Sequence, residues 1–260
     1  MPKYTKFEHG DFSWVDLGTT DAGAAKRFYG EVFGWTFEDM PMGPGGTYTF
    51  AKVGDAVMGG LYTMGPDMQG VPSHWLPYVN VTDVDATTSK VTGLGGKVMK
   101  GPFDVMDQGR MSVVQDPSGA TVAFWQAKKV AHTVVKGEAG GVCWTELLTS
   151  NVDAAGKFFI NTLGWKTEGM DMGPAGVYTL FSRDGSKETQ VAGMMAHPMK
   201  GAPSAWLVYL GTPDVDASAK KVTELGGKVL TPPMDIPNIG RFAIVQDPQG
   251  AAFALFKGNA

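Results

Sequence analysis

The spacing of apolar and polar residues changes several times along the first 130 positions. Residues 12–17 form a short strand-like run. Thr19-Thr20-Asp21 supplies capping groups ahead of residues 22–33, where Ala25, Phe28, Tyr29 and Val32 recur at three- to four-residue spacing. That spacing predicts an amphipathic helix, and Gly34 supplies its stop. Strand-like runs follow at residues 35–39, 48–53 and 56–63. The order then restarts. A strand at 75–81 precedes a helix from about 84 to 94, closed by Gly95-Gly96, and strands at 97–99, 110–115 and 121–126 follow. Asp116-Pro-Ser-Gly119 carries the residues of a type I turn. One unit of strand-helix-strand-strand-strand thus occurs twice.

The whole arrangement repeats once more. Trp14-Val-Asp-Leu17 reappears as Trp144-Thr-Glu-Leu147, and Phe33-Gly-Trp35 as Leu163-Gly-Trp165. Leu94-Gly-Gly-Lys-Val98 returns as Leu225-Gly-Gly-Lys-Val229, and Val114-Gln-Asp-Pro117 as Val245-Gln-Asp-Pro248. The order never changes, as expected of a duplicated domain. The sequence therefore predicts an α+β chain with mostly antiparallel strands, not an alternating βα sheet. Its domains are expected at residues 1–127 and 140–260, with a linker at 128–139 in which 133–135 can form a short strand.

Composition narrows the function classes. Hydrophobic residues make up 43% of the 260, enough to build a sizeable core. Lys and Arg number 22 against 26 Asp and Glu, so no basic surface for nucleic acid is expected. Cys143 is the sole cysteine, which excludes an intrachain disulfide framework and a multi-thiolate metal site. No run approaches the ~20 apolar residues of a membrane span, and residues 1–10 lack the apolar stretch of a signal peptide. A cytoplasmic monomer or homodimer is the expectation.

The segment Trp14-Val-Asp-Leu-Gly-Thr-Thr-Asp21, with Phe28-Tyr29, Phe33-Gly-Trp35 and the Asp116-Pro-Ser-Gly119 turn, resembles the vicinal oxygen chelate superfamily of glyoxalase I, bleomycin-resistance proteins and extradiol dioxygenases. The duplication is similar to the superfamily's tandem two-domain members. The resemblance implies two glyoxalase-like domains, each a pair of βαβββ units curved into a mostly antiparallel cup. It also implies a divalent ion held by His, Glu or Gln side chains on the cup strands. Here the corresponding positions are Trp14, Leu76 and Ala123 in the first copy and Trp144, Leu207 and Ala254 in the second. The fourth strand offers residues 58–61 or 192–195, again without a suitable donor. Indole, isobutyl and methyl groups do not ligate such ions, so neither metal nor cofactor is expected.

The same alignment turns Trp14 and Trp144 into the cups, and strand periodicity places Asp16 and Glu146 beside them. Asp16 and Glu146 are candidate catalytic acid/base residues, since a carboxylate desolvated by an aromatic neighbour has a raised pKa. Trp14, His74, Tyr78 and Trp125 are candidate ligand-binding residues in the first cup, and Trp144, Tyr209 and Phe256 in the second. Tyr48 and Tyr178 are further wall candidates. Alternatively, Arg110 and Arg241 neutralise the two carboxylates inside the fold. His9, His132 and His197 read as surface residues, and Cys143 as a buried thiol near the second cup. Residues 42–46 and 172–176 read as loops at the cup mouths, and Met64, Met68, Met194, Met195 and Met199 as an adaptable apolar lid. These features predict a metal-independent protein that binds a small planar organic molecule. The alternatives are a lyase, isomerase or polyketide-tailoring enzyme working through Asp16 or Glu146, and an interaction module with closed cups.

Overall fold

A computed structural model describes residues 3–4, 6–42, 46–129, 134–135 and 137–259. His132, Thr133 and most of the 42–46 loop lie outside the described residues. The first half comprises β1 (Lys3–Tyr4), β2 (Phe12–Thr19), α1 (Ala22–Phe33), β3 (Thr36–Pro41), β4 (Thr47–Val53), β5 (Ala56–Thr63), β6 (His74–Asn80), α2 (Val84–Ser89), β7 (Lys97–Val105), β8 (Gly109–Gln115) and β9 (Thr121–Ala127). A two-residue strand, β10 (Val134–Val135), precedes the second half. There follow β11 (Val142–Thr149), α3 (Val152–Leu163), β12 (Lys166–Asp171), β13 (Val177–Ser182), β14 (Gln190–Ala196), β15 (Ala205–Gly211), α4 (Val215–Glu224), β16 (Lys228–Ile236), β17 (Gly240–Gln246) and β18 (Ala252–Gly258).

Each half is built as two strand-helix-strand-strand-strand units, giving the α+β architecture read from the sequence. In the first, β3-β4-β5-β2 and β6-β9-β8-β7 join through an antiparallel β2–β6 pairing. In the second, β12-β13-β14-β11 and β15-β18-β17-β16 join through β11–β15 in the same way. The centre of each half is thus a parallel–antiparallel–parallel row, β5-β2-β6-β9 or β14-β11-β15-β18. β10 adds to the first sheet, Val134 lying beside Val57 on the stretch of β5 before its pairing with β2 begins at Gly60.

Alternate residues of these strands face opposite ways. One face of each sheet carries the helices, and the two helix-bearing faces meet. One core cluster joins Val15, Leu17, Tyr29 and Trp35 to Val208, Val222, Phe253 and Leu255 of the other half. A second joins Val79, Val114 and Phe124 to Leu147, Phe158, Phe159 and Trp165. Indole donors cross the junction symmetrically, Trp35 Nε1 to the Gly140 carbonyl at 2.9 Å and Trp165 Nε1 to that of Gly10 at 3.1 Å. Such shared burial makes the two halves one packed body.

The structure departs from the sequence reading in two elements. The helix expected over residues 84–94 stops at Ser89, and a 3₁₀ turn covers Thr92–Leu94. Thr87 and Thr88 bond back to the carbonyls of Asp83 and Val84, and Gly93 stands where α4 has Glu224. Both features weaken a helix. The strand expected at 97–99 extends through Val105, with register shifts around Lys100 that interrupt its alternation. Among the described residues no helix is long and apolar enough to cross a membrane.

Candidate functional site

In the first half the site is built on β2. Trp14 and Asp16 share its concave face, opposite Tyr78 and Leu76 on β6, and Asp16 lies opposite Gly60 on β5. The Asp16 carboxylate is buried and held by three neutral donors. Tyr48 donates to Oδ1 at 2.6 Å, Trp14 Nε1 to the same oxygen at 2.8 Å, and Tyr78 to Oδ2 at 2.7 Å. Trp14 Nε1 also lies 2.9 Å from the Tyr48 hydroxyl. Burial pushes the Asp16 carboxyl above the usual carboxylate range, and the bonds from Tyr48, Tyr78 and Trp14 and the nearby His74 pull only part of the way back. Burial and the Asp16 charge push the Tyr48 and Tyr78 hydroxyls well above the ordinary phenol, so both stay protonated donors.

Gly60 makes this network possible. A Cβ there would stand 2.0 Å from the Tyr48 hydroxyl and 2.5 Å from Asp16 Oδ1. The hydroxyl of Tyr48, arriving from β4, therefore occupies the volume that any side chain at position 60 would fill.

The second half repeats the design with a longer carboxylate. Glu146 on β11 is buried and accepts from Tyr178 at 2.9 Å and from Tyr209, and Trp144 Nε1 donates to the Tyr178 hydroxyl at 2.9 Å. Burial again raises the Glu146 pKa. Gly193 plays the part of Gly60, since a Cβ there would lie 1.8 Å from the Tyr178 hydroxyl.

The cups differ in access. A cleft of about 2040 Å³ opens over the first cup, reaching Trp14, Asp16, His74, Tyr78 and Trp125. It also runs onto the other half, through His197, Met199 and Leu230 and through Leu148, Leu207, Ile244 and Ala252 of that cup's inner cluster. Glu146, Trp144, Tyr209 and Phe256 lie outside this lining, and Tyr209 and Phe256 pack in the second cup's inner cluster as Tyr78 and Trp125 do in the first. The candidate residues of the first half are thus brought together in the cleft lining, and those of the second half lie just outside it, beside Leu148, Leu207, Ile244 and Ala252, which line it.

Several expectations are corrected. Arg110 pairs with Asp85 at 2.8 Å and with Asp104, and Arg241 pairs with Asp216 at 2.7 Å and with Asp235. Neither touches Asp16 or Glu146. On β8 the cleft-lining residues are Met111, Val113 and Gln115, so alternation sends Arg110 to the helix side. The methionine lid is also redistributed. Met194 lies in the core between the halves and Met195 against the second inner cluster. Met68 and Met199 line the cleft, together with Met40, Met42, Met99 and Met106, which are exposed. Cys143 is half-buried, and burial pushes its thiol to about 11, consistent with an unreactive cysteine.

Gly18 and Tyr62, the second of which lines the cleft, escaped the sequence reading. Gly18 follows Asp16 on the same face of β2, and Tyr62 on β5 stands opposite it. Both were accessible from strand alternation, Gly18 from Asp16 and Tyr62 from Gly60, once the pairing of β2 with β5 was known.

The positions that would carry the superfamily's metal do not suit one. Trp14 uses its indole to hold Asp16, Leu76 and Ala123 are apolar, and Gly60 has no side chain. Among the described residues no group of three or more His, Cys, Asp or Glu is placed to hold an ion.

Paired βαβββ units forming a sheet around a cleft, twice in one chain, define the class of protein. The chain belongs to the Glyoxalase/Bleomycin resistance protein/Dioxygenase superfamily, whose sequence profile matches residues 11–124 and 141–255. It is 40% identical over 259 residues to CFP32 of Mycobacterium bovis, whose name carries a provisional glyoxylase assignment; the match covers 99% of this chain and 98% of that one. It is 36% identical to the anthracycline biosynthesis protein DnrV of Streptomyces peucetius, covering 96% and 94% of the two chains. In fold it is similar to the Mn(II)-bound glyoxalase from Novosphingobium aromaticivorans, with a TM-score of 0.65 at 17% identity over 95% of this chain and 81% of that one.

Proposed function

We propose that this protein binds a planar, multi-ring organic molecule in the cleft of its first cup, without a metal ion. The observation that carries this reading is the cleft itself. Aromatic and methionine side chains line it, and a neutral-donor network holds one buried carboxylate in its floor. Ordinary small-molecule pockets occupy roughly 300–1,000 Å³, so this cleft has room for several fused rings. Flat rings stack on Trp14 and Trp125, and the flexible methionines adjust to their edges. The naming of DnrV for anthracycline biosynthesis supports fused-ring aromatic compounds as the class.

A second reading is favoured by the pKa of Asp16. A desolvated carboxylate held by neutral donors is suited to accept or return a proton at a bound ligand, as an isomerase, lyase or tailoring enzyme would require. The test is tryptophan-fluorescence titration of the intact chain with anthraquinone and 1-hydroxyanthraquinone, before and after chelator treatment. Binding that survives the chelator and weakens at least tenfold in Trp14→Ala is expected. Failure of both compounds to bind, or binding restored only by a divalent ion, would overturn the proposal. Turnover that is unchanged in Asp16→Asn would remove the second reading.

A further inference from the structure

Next to the Asp16 rung, toward the cup mouth, lies a second rung of side chains. Gly18 on β2 is flanked by Tyr62 on β5 and His74 on β6. A Cβ at Gly18 would sit 3.2 Å from the Tyr62 hydroxyl and 3.2 Å from His74 Cε1. The two polar side chains therefore converge on the space left by the missing side chain. Tyr62 and His74 both line the cleft.

The roles of the two groups follow from their surroundings. His74 Nδ1 lies 2.8 Å from the Pro72 carbonyl, which can only accept. Nδ1 therefore carries a proton, and in the neutral form of the ring the lone pair is at Nε2. Burial and the charges of Asp16 and Asp67 push the Tyr62 phenol up to about 12, so it remains an O–H donor. Among the described residues neither the Tyr62 hydroxyl nor His74 Nε2 has a hydrogen-bond partner. One donor and one acceptor thus stand unused, side by side, at the wall of an apolar cleft.

We propose that Tyr62 and His74 read a hydroxy-ketone edge of the ligand, Tyr62 donating to a ring carbonyl and His74 Nε2 accepting from the neighbouring hydroxyl. This inference rests on ligand binding in the first cup and specifies which fused-ring compounds are preferred there. The second half lacks the device at every position. Its register places Leu148 at the Gly18 position, Met195 at that of Tyr62 and Ala205 at that of His74. The polar pair and the gap are absent together, as expected if they form one recognition feature.

The test compares 1-hydroxyanthraquinone with anthraquinone, which lacks the hydroxyl, by fluorescence titration of the intact chain. The parent should bind the hydroxylated compound at least tenfold more tightly. His74→Ala should abolish most of that preference, and His74→Gln, which keeps an acceptor, should restore part of it. Tyr62→Phe should weaken both compounds, since both carry the carbonyl. A parent that binds the two equally, or a preference that survives His74→Ala, overturns this inference and leaves binding in the cup standing. If neither compound binds, the reading beneath it falls as well.

Discussion

The two cups of this chain preserve one rung of side chains and diverge at the next. At the inner rung, Trp14, Asp16, Tyr48, Tyr78 and Gly60 are matched by Trp144, Glu146, Tyr178, Tyr209 and Gly193, with similar bonding. At the outer rung, Gly18, Tyr62 and His74 face Leu148, Met195 and Ala205. The inner network is a buried polar group that must be fully satisfied wherever it occurs, so it constrains both halves equally. The outer rung bears no such constraint. Its change from Gly18, Tyr62 and His74 to Leu148, Met195 and Ala205 leaves the polar pair in the first cup alone.

The harshest test of this contrast lies at the shared rung. Gly60→Ala drives a methyl group into the space of the Tyr48 hydroxyl and displaces it from a buried carboxylate. Lost bonding and overpacking together should cost about 2–4 kcal/mol in urea denaturation. Gly193→Ala should cost a similar amount through Tyr178. A large effect in one half and none in the other would contradict the equivalence of the two networks.

The outer rung should respond in the opposite manner, through binding more than stability. Gly18→Leu copies the second half into the first and fills the gap between Tyr62 and His74. Affinity for 1-hydroxyanthraquinone should fall about a hundredfold, or about 2.7 kcal/mol. A Cβ at Gly18 meets the ends of the Tyr62 and His74 side chains at 3.2 Å, against 2.0 Å to the Tyr48 hydroxyl at Gly60, so its first contact is the softer of the two. Undiminished affinity would show that the ligand sits elsewhere.

A third contrast lies where the halves meet. The Tyr29 hydroxyl lies 3.0 Å from Asp247 Oδ2 and accepts from Trp75 Nε1 at 3.1 Å. At the symmetry-related point Phe159 replaces the tyrosine, and Asp116 Oδ2 and Trp206 Nε1 are buried without a partner among the described residues. Phe159→Tyr supplies the missing hydroxyl and should stabilise the chain by about 1 kcal/mol, whereas Tyr29→Phe should destabilise it by about 1–2 kcal/mol. Equal loss of stability in both variants would mean that the second junction has no room for the oxygen.

How much of this was legible in the sequence follows from the range of each interaction. Periodicity located α1 over residues 22–33, and the repeat identified four equivalent units, because both depend on near neighbours along the chain. The inward turn of Asp16 followed from Trp14 by alternation. Tyr48 was visible only as a wall residue, because its bond to Asp16 requires β4 to cross over Gly60 on a neighbouring strand. Arg110 was misassigned because charge complementarity was considered without strand parity. Met111 faces the cleft, so Arg110 must face Asp85. The pairing of Gly18 with Tyr62 and His74 depends on two separate registers, neither of which is encoded locally.

The smallest expected effect, and the one that separates a carboxylate held by neutral donors from one held by an ion pair, is in pH. Burial raises the folded-state pKa of Asp16 above its unfolded value of about 3.9. Between those two values the folded chain binds more protons than the unfolded one, so this group's contribution to stability falls as pH rises. Above the folded pKa the contribution is constant at its lower level. An arginine partner would reverse the sign, since it would depress the folded pKa and make stability rise with pH. Asp16→Asn removes the titration. The stability of the parent relative to Asp16→Asn should therefore increase as pH is lowered from neutrality toward 4, measured by urea unfolding at each pH. Glu146→Gln should give the same sign, because burial raises that carboxyl as well and Tyr178 and Tyr209 supply only neutral donors. A relative stability that instead declines on acidification would point to a cationic partner for the carboxylate and would break the account of the inner rung in that half.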